Sequence, residues 1–261
     1  MDKVFHAGLY AGDVVLITGG GTGIGRETAI EMGSLGARVA ICGRRQEKLD
    51  EAARAIGEAG GECLARTCDI REPEQCLALV DAVLERWGKL DVLVNNAGGQ
   101  FPVTAESLKP KGWDAVLRNN LSGTWYMTQA AATRAMIPAR HGRIINVIAN
   151  IARGFPGMIH TGAARAGVEN MTRTLAVEWA QFGIRTVAIA PGVIKSSGTE
   201  QYPPELLEAA RVRMPAKRLG TVDEVAHAIT YLASRAAAFV TGITFYIDGG
   251  ASLWGDTWEI P

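Results

Sequence analysis

The stretch Thr18-Gly19-Gly20-Gly21-Thr22-Gly23-Ile24-Gly25 lies between an apolar run, Val14–Thr18, and a helical pattern that begins at Arg26. Glycines let a backbone turn tightly and approach a pyrophosphate group closely. The helix that follows offers free N–H groups and the positive end of its dipole at the same place. A glycine-rich turn alone is a weak signal, but its position between an apolar strand and a helix strengthens it. The stretch therefore predicts a phosphate-binding loop for a dinucleotide, with contacts from Gly19, Thr22, Gly23, Ile24 and Gly25.

Short runs rich in Val and Ile alternate with longer helical patterns along the chain. Most of these runs lack polar alternation, which is typical of strands that are covered on both faces. Repeated strand–helix units predict an α/β fold, a single doubly wound Rossmann-type domain over residues 1–261 with a seven-stranded parallel sheet. The predicted strands are Val14–Thr18, Arg38–Cys42, Glu62–Thr67, Asp91–Asn95, Arg143–Ile148, Arg185–Ala190 and Ile243–Ile247. The predicted helices include Arg26–Leu35, Gln46–Ala59, Pro73–Trp87 and Ala163–Phe182.

One segment, residues 195–218, interrupts this alternation. It contains Ser196-Ser197-Gly198, the pair Pro203-Pro204 and a short helical pattern, Glu205–Val212. An insertion after the sixth strand, at the carboxyl edge of a parallel sheet, lies where ligands bind in such folds. We therefore predict a small substrate lid, with a plain surface excursion as the alternative.

The overall composition limits the kinds of partner. Of the 261 residues, 48% are hydrophobic and 21% are charged, and the formal net charge is +0. Without a long basic run or an apolar run of membrane-spanning length, neither nucleic acid nor a membrane is an expected partner. The N-terminal residues lack an apolar signal core and the last residues are not a peroxisomal address, so we expect a cytoplasmic protein.

Four cysteines, Cys42, Cys63, Cys68 and Cys76, have a spacing that matches neither a CxxC motif nor a zinc pattern. The spacing favours unreactive thiols in a reducing compartment, and no metal site is expected.

The second predicted strand ends in Ile41-Cys42-Gly43-Arg44-Arg45. Proteins that bind NAD usually place Asp or Glu here to hold the ribose 2′-hydroxyl. Here no carboxylate repels a 2′-phosphate, and two guanidinium groups can hold one with paired hydrogen bonds. Arg44 and Arg45 therefore predict NADP(H), unless they are only solvated charges at the start of a helix.

The GxxxGxG spacing of the loop, followed by Asn95-Asn96-Ala97-Gly98 after the fourth strand, resembles the short-chain dehydrogenase/reductase family. The matching pieces cover nearly the whole chain and include Asn120-Leu121-Ser122-Gly123-Thr124, Pro191-Gly192-Val193-Ile194 and Asp248-Gly249-Gly250. The resemblance implies that Asp69 and Ile70 flank the adenine of the cofactor. It implies further cofactor contacts, on the ribose side from Asn96, Ala97 and Gly98 and at the nicotinamide carboxamide from Pro191, Gly192, Val193 and Ile194. It also implies a homotetramer that pairs the helices around residues 112–140 and 161–182.

The catalytic part of the chain departs from the family pattern, which usually comprises Ser, Tyr-x-x-x-Lys and Asn. The Asn is present as Asn120, whereas Thr161 and Arg165 occupy the Tyr and Lys positions and Ala149 lies at about the Ser position. Reduction of a ketone needs a group that can protonate the new alkoxide. Thr is far too weak an acid, and Arg does not give up its proton. Ordinary carbonyl chemistry is therefore disfavoured.

Reduction of an enoyl thioester does not require such an acid, because the charge develops on an enolate oxygen that needs only hydrogen-bond donors. The hydroxyl of Thr161, a backbone N–H and the charge of Arg165 can supply them, and Arg165 can also bond the nicotinamide ribose. The α-carbon can then take its proton from water. His160 can donate to the substrate or relay a proton, and Tyr202 in the lid can close over it, although structural roles fit both equally well.

The segments 95–101 and 160–168 resemble the branch of peroxisomal trans-2-enoyl-CoA and 2,4-dienoyl-CoA reductases, which reduce acyl-CoA double bonds with NADPH. The resemblance implies an NADPH-dependent enzyme that reduces the double bond of a 2-enoyl thioester, with acyl-CoA or a similar small molecule as substrate. Asn120, Thr161 and Arg165 are the expected catalytic residues. Two alternatives stay open: a carbonyl or alcohol oxidoreductase with an atypical acid, and a non-catalytic nucleotide-binding homologue.

Overall fold

A computed structural model describes residues 4–196, 198–199 and 202–253 of the chain. Its strands are β1 (Val14–Thr18), β2 (Arg38–Gly43), β3 (Glu62–Thr67), β4 (Val92–Asn95), β5 (Gly142–Val147), β6 (Ile184–Pro191), β7 (Ile194–Lys195), β8 (Gly220–Thr221) and β9 (Thr244–Ile247). Seven of them form a parallel sheet in the order β3-β2-β1-β4-β5-β6-β9, and β7 pairs with β8 separately. The α/β fold class and the seven-stranded parallel sheet predicted from the sequence are confirmed.

The helices are α1 (Gly23–Ser34), α2 (Gln46–Glu58), α3 (Pro73–Trp87), α4 (Pro110–Leu117), α5 (Gly123–Ala131), α6 (Ile137–Ala139), α7 (Ile159–Glu178), α8 (Pro204–Arg213) and α9 (Val222–Ala233). A π-helical segment, Arg118–Ser122, joins α4 to α5, and a second, Ala132–Met136, joins α5 to α6. The result is one continuous helical rod that crosses the face of the sheet beside α7.

Several boundaries differ from the predictions by a few residues, for physical reasons. β4 begins at Val92, one residue after the predicted start, although the backbone of Asp91 still donates to the carbonyl of Val14 at 2.9 Å and accepts from the N–H of Arg143 at 3.0 Å. α7 begins at Ile159 rather than at Ala163. Threonine and glycine are poor helix formers, but the N–H groups of Thr161 and Gly162 donate to the carbonyl of Met158 and extend the helix by a turn.

Residues of β1 show how the sheet is covered. Val15 and Ile17 pack into one core cluster, with α1, α2 and α9, whereas Val14 and Leu16 pack into a second cluster on the opposite face. Side chains alternate between the two faces of a strand, so a strand that is apolar at every position must be buried on both. Burial of both faces explains why polar and apolar residues do not alternate in the sequence of β1.

The strand order reverses its direction between β1 and β4, because β2 and β3 lie to one side of β1 while β4, β5, β6 and β9 lie to the other. The loops that leave the carboxyl ends of β1 and β4 therefore separate and open a crevice, which is where ligands bind in such sheets. In the part of the chain that the structure describes, no helix has the length and apolar character that crossing a membrane requires.

A buried ion pair ties β5 to the segment before β1. Arg143 lies 2.9 Å from the carboxylate of Asp13 and donates to the carbonyl of Ala233 at 2.8 Å. Both charged side chains are almost fully buried. Loss of the arginine would leave the Asp13 carboxylate in the protein without its counter-charge.

We expect Arg143→Met to lower the free energy of unfolding by about 3–5 kcal/mol, because an unpaired buried charge remains. The control is Arg134→Met, since the pair of Arg134 and Asp81 is half exposed and solvent screens its charges, so a much smaller loss is expected. Urea unfolding followed by circular dichroism measures both. Equal losses in the two variants would contradict the role assigned to the buried pair.

Candidate dinucleotide and catalytic site

A cavity of about 490 Å³ opens at the crevice between the carboxyl ends of β1 and β4. Eleven of the residues predicted to bind the cofactor line it: Gly19, Thr22, Gly23, Ile24, Arg44, Arg45, Asp69, Ile70, Asn96, Ala97 and Gly98. These residues come from four separate places in the sequence, and the carboxyl edge of the sheet brings them together.

Glycine is required at positions 19 and 25 of the first loop for two different structural reasons. Gly19 adopts a φ of +66°, a conformation that other residues rarely accept. Gly25 does not line the cavity but packs against the loop, because a Cβ there would lie 2.5 Å from the carbonyl oxygen of Gly19. Gly25 therefore supports the loop from behind rather than contacting the cavity.

Thr18 connects the two loops that frame the cavity. Its hydroxyl accepts hydrogen bonds from the backbone N–H groups of Asn96 and Ala97, each at 3.0 Å. The side-chain amide of Asn96 donates back to the carbonyl oxygens of Thr18 and Gly19, at 3.0 and 3.3 Å. These bonds hold the ends of β1 and β4 in fixed relation to each other.

Three basic residues lie at the end of the cavity formed by β2. The side chains of Arg44 and Arg45 are exposed, and Lys48 from the first turn of α2 lines the same wall. Lys48 forms an ion pair with Glu51 at 2.7 Å, so its charge is partly compensated. Sequence reasoning missed Lys48, although its place one helical turn after Arg45 could have indicated it.

Asp69 and Ile70 form the neighbouring wall. The guanidinium of Arg71 pairs with the carboxylate of Asp69 and lowers the pKa of that carboxyl below its usual value. Ile70 is buried and packs against Gly123 of the helical rod. The wall thus offers an apolar surface beside a carboxylate that stays ionised.

The segment from Pro191 to Ile194 does not line this cavity, although Ser196, two residues further along the chain, does. Gly192, Val193 and Ile194 line a second cavity of about 320 Å³, together with residues that follow the lid and β9. Gly192 has no room for a side chain, since a Cβ would lie 2.9 Å from the Cα of Asp248. The structure therefore does not bring the predicted nicotinamide contacts into the cavity that the other cofactor residues share.

The three candidate catalytic residues are all buried. The exposed fractions are 1% for Asn120, 0% for Thr161 and 8% for Arg165. Thr161 and Arg165 lie one turn apart on α7, and Asn120 lies in the π-helical segment Arg118–Ser122. Such a segment in a long helix often marks a functional site, because it displaces one turn from the regular pattern.

Gly98 lies where Asn120 and Arg165 meet. A Cβ on Gly98 would lie 2.8 Å from Oδ1 of Asn120 and closer still to Nη2 of Arg165. Asn120 accepts a hydrogen bond from the N–H of Gly99 at 3.0 Å and donates to the carbonyl of Gly99 at 2.8 Å. The side chain of Asn120 thus holds the loop after β4, with the oxygen and the nitrogen of its amide both bonded to Gly99.

Arg165 has an unusual environment for a guanidinium. Burial lowers its pKa to about 10, a value at which the group remains charged at neutral pH. Within residues 4–196, 198–199 and 202–253, its Nη1 atom has no hydrogen-bond partner. An isolated buried charge costs several kcal/mol, so the site favours a ligand that brings oxygen atoms or negative charge.

Thr161 contacts His160, which is also fully buried. The backbone N–H of Thr161 donates to Nδ1 of His160 at 2.7 Å, and the threonine hydroxyl lies 3.2 Å from the same nitrogen. Because an N–H group can only donate, Nδ1 is an acceptor, and a neutral His160 carries its proton on Nε2. The ring edge also contacts Phe101, with the ring centroids 4.6 Å apart.

The described part of the predicted lid contacts two loops near the cavity. The helical part of the lid is α8. The start and the end of the lid are held together by the pairing of β7 with β8. Positions 197, 200 and 201 of the lid lie outside the described residues. The hydroxyl of Tyr202 accepts a hydrogen bond from Nε2 of Gln100 at 3.2 Å and lies 4.0 Å from the sulfur of Met158. A lid residue therefore contacts both the loop after β4 and the loop before α7.

The basic residues at the end of the lid are engaged with their neighbours. Arg218 pairs with Glu224 at 2.5 Å, and Lys217 donates to the carbonyl of Val212 at 3.0 Å. In the part of the chain that the structure describes, no group of three or more His, Cys, Asp or Glu side chains is arranged to hold a metal ion.

Comparison with known proteins identifies the family. A family model described as enoyl-(acyl carrier protein) reductase matches residues 19–252. The probable 2,4-dienoyl-CoA reductase, (2E)-enoyl-CoA-producing, of Bacillus subtilis (strain 168) is 39% identical over 247 residues, 92% of this chain and 96% of that relative. The chain belongs to the short-chain dehydrogenase/reductase family, which comprises oxidoreductases that use NAD(H) or NADP(H), so the resemblance carried by the sequence motifs is confirmed.

Two solved structures illustrate the range of similar proteins. A citronellol catabolism dehydrogenase of Pseudomonas aeruginosa PAO1 has a TM-score of 0.88 at 44% identity, over 97% of this chain and 100% of that one. A variant of actinorhodin polyketide ketoreductase with NADPH has a TM-score of 0.89 at 33% identity, over 95% of this chain and 100% of that one. The fold is thus shared by proteins whose names describe different reactions.

The residues present fit a nicotinamide dinucleotide. The loop around Gly19 leaves space at the cavity for a pyrophosphate, and the unpaired guanidinium of Arg165 can donate to ribose hydroxyls. Gly98, which lines the cavity, lies directly against the side chains of Arg165 and Asn120, so it joins the cavity to the buried guanidinium and leaves no room for a side chain of its own.

We expect Gly98→Ala to weaken cofactor binding by roughly 10- to 100-fold, because the new methyl group displaces the guanidinium of Arg165. A hydrogen bond from a charged donor to the cofactor contributes about 1.5–3 kcal/mol. The matched control is Gly57→Ala in α2, where a Cβ meets open space. Fluorescence titration with NADPH and NADH gives the dissociation constants. Unchanged affinity in Gly98→Ala would show that cofactor binding does not depend on the position of the Arg165 guanidinium.

Proposed function

We propose that the protein reduces the carbon–carbon double bond of a 2-enoyl thioester, an acyl-CoA or a similar small molecule, with NADPH. The observation that carries the proposal is the catalytic helix itself. It presents a buried, permanently charged guanidinium at Arg165 and a hydroxyl at Thr161, and neither is an acid suited to protonating an alkoxide. The relative named 2,4-dienoyl-CoA reductase supports the same class of substrate.

NADPH, when bound, supplies the hydride. In this proposal its pyrophosphate contacts the loop formed by Gly19, Thr22, Gly23 and Ile24, which Gly25 supports. Arg44 and Arg45 hold the 2′-phosphate, Asp69 and Ile70 flank the adenine, and Arg165 bonds the nicotinamide ribose. The remaining contacts come from Asn96, Ala97 and Gly98 on the ribose side, and from Pro191, Gly192, Val193 and Ile194 at the carboxamide.

Arg165 also stabilises the charge that develops during the reaction. When the β-carbon accepts a hydride, negative charge moves onto the thioester oxygen, and a fixed positive group in a dry site stabilises that charge strongly. The desolvation of Arg165 is already complete before the substrate arrives, since the side chain is buried. The enolate then takes a proton on its α-carbon from water.

Thr161 supplies the hydrogen bond to the same oxygen. Its hydroxyl can rotate between Nδ1 of His160, 3.2 Å away, and an oxygen of the substrate. Asn120 acts as a positioning residue, because both ends of its amide hold the backbone of Gly99.

A second candidate is reduction of a carbonyl group with an atypical acid. The hydroxyl of Tyr202 lies between Gln100 and Met158, where the lid contacts two loops near the cavity, and a phenol is a plausible proton donor. The ketoreductase among the similar structures favours this reaction. A non-catalytic nucleotide-binding protein is the third candidate, and turnover with either substrate class excludes it.

We also propose a cytoplasmic homotetramer. The four cysteines are free thiols, which is compatible with a reducing compartment. Strand β9 forms an edge of the sheet, and several large apolar side chains near it are exposed: Val177, Phe239, Ile243, Phe245 and Tyr246. An exposed apolar sheet edge of this kind is usually covered by another chain.

The choice of cofactor is tested at the two arginines. We expect the unmodified protein to bind NADPH roughly 10- to 100-fold more tightly than NADH. The double variant Arg44→Ala/Arg45→Ala should lose most of this difference in affinity. Arg54→Ala is the matched control, since Arg54 is exposed on α2 but does not line the cavity. Equal affinity of the unmodified protein for both cofactors would contradict NADP specificity.

The reaction is tested with crotonyl-CoA, a medium-chain 2-enoyl-CoA and a panel of ketones, by following the oxidation of NADPH. We expect the protein to turn over the enoyl thioesters. Thr161→Val should lose transition-state stabilisation on the order of 3 kcal/mol, about a hundredfold in rate, while its cofactor affinity stays unchanged. Arg165→Met should lower both rate and affinity.

Thr174→Val is the control for the threonine substitution, because Thr174 lies on the exposed side of α7. Full enoyl reductase activity in Thr161→Val would reject Thr161 as the donor. Turnover of ketones alone would reject the proposed reaction in favour of the second candidate.

A further inference from the structure

The hydroxyl of Thr161 is held differently from the hydroxyls of five other threonines in helical segments. Each of these five donates to the carbonyl four residues earlier, at distances from 2.8 to 3.1 Å: Thr28, Thr124, Thr133, Thr172 and Thr174. Such a bond is common for a threonine inside a helix, and it engages the hydroxyl proton. Thr161 is the third residue of α7, so the carbonyl four residues earlier belongs to Gly157, before the helix begins. That carbonyl accepts the N–H of Val103 at 2.8 Å.

The contact of the Thr161 hydroxyl is instead with a ring nitrogen of the preceding residue. Nδ1 of His160 lies 3.2 Å from the hydroxyl oxygen and accepts the backbone N–H of Thr161 at 2.7 Å. Because the acceptor nitrogen of a neutral imidazole carries no proton, the hydroxyl can only donate to it. This nitrogen has one lone pair, which the shorter bond from the N–H already uses. The bond from the hydroxyl is therefore long and weak, and the hydroxyl can turn to another acceptor at little cost.

The other nitrogen of the ring is enclosed by the protein. His160 has an exposed fraction of 0%, and Phe101 packs against its ring with the centroids 4.6 Å apart and the planes at 77°. Within the described ranges of the chain, Nε2 has no hydrogen-bond partner. A ring packed in this way keeps one orientation, so Nδ1 stays directed at Thr161.

We propose that His160 is a positioning residue that keeps the hydroxyl of Thr161 available as a hydrogen-bond donor, and that it acts through Nδ1 alone. The inference rests on the proposed function, in which this hydroxyl donates to the thioester oxygen. Nδ1 fixes the first turn of α7 through the backbone of Thr161. Its weak bond with the hydroxyl holds the proton where it can turn to the substrate. His160 itself does not contact the substrate, and the imidazole neither gains nor loses a proton.

Two substitutions separate the roles of the two ring nitrogens. The amide atoms of Asn lie as far from the backbone as Nδ1, whereas those of Gln lie as far as Nε2. His160→Asn therefore keeps an acceptor for the two donors of Thr161, since the amide can turn its oxygen towards them. His160→Gln keeps a donor at the position of Nε2 and loses the acceptor. Both remove the ring that packs against Phe101, so a purely structural role makes the two variants equally poor.

The measurement is the rate of NADPH oxidation with crotonyl-CoA, with thermal unfolding of each variant followed by circular dichroism. We expect His160→Gln to lose roughly 10- to 100-fold in rate, as a small misplacement of a reacting group does. His160→Asn should regain most of this loss, although Tm falls by similar amounts in both variants. In the Thr161→Val background, His160→Gln should lower the rate by less than about threefold further, because residues that act as one unit are not additive.

The outcomes separate this role from the proposed function. Full activity in Thr161→Val, or turnover of ketones alone, overturns the proposed function and the inference together. A loss of about a hundredfold in Thr161→Val, with equal rates in His160→Asn and His160→Gln, overturns only the role of His160. A faster rate in His160→Gln than in His160→Asn also overturns it, because the substrate donor would then be Nε2.

The tautomer of His160 gives a readout that needs no reaction and no variant at this position. The chain has four histidines, and substitution of the other three in turn, His6, His141 and His227, assigns their NMR signals. In a long-range proton–nitrogen spectrum of protein with isotope-labelled histidine, His160 should carry its proton on Nε2 and none on Nδ1. A proton on Nδ1 would overturn the proposal even where the His160 variants do not fold.

Discussion

The hydrogen bonds between Thr18 and the Asn96–Ala97 backbone are the constraint on which the site depends. They fix the distance between the ends of β1 and β4, where the strand order reverses and the sheet opens a crevice. Asn96 completes the connection through its amide, and Gly19 and Gly25 leave the space that these contacts require. The other walls of the cavity come from the ends of β2 and β3, which pair beside β1 in the same sheet, so this junction fixes the floor against which they are placed.

The buried charge of Arg165 gives the site its chemical character. In ordinary packing an unpaired guanidinium in the interior is destabilising, and proteins retain such groups where a ligand offsets the cost. Here the charge lies beside Asn120 and against Gly98, which lines the cavity. The buried charge of the folded protein therefore favours the binding of an anionic or oxygen-rich ligand.

The end of the cavity formed by β2 and β3 depends on the pairing of these two neighbouring strands. Arg44 follows β2 and Asp69 lies two residues after β3, and both line this end of the cavity. The N–H of Cys68 donates to the carbonyl of Gly43 at 2.9 Å, which continues the ladder past the last paired residues. The parallel ladder therefore decides which residues from these two parts of the chain meet at the cavity.

The sequence by itself determined the strands, the parallel sheet and the glycine-rich loop, because these depend on local patterns of apolar residues and on short-range backbone geometry. It also indicated Arg44, Asp69 and Gly98, since residues that follow parallel strands meet at one edge. The sequence did not reveal the clamp of Asn120 on Gly99, the contact of His160 with Phe101, or the position of Gly192 beside a separate cavity. These features join residues far apart in the chain, and only the tertiary packing of the helices and loops on the sheet decides which of them touch.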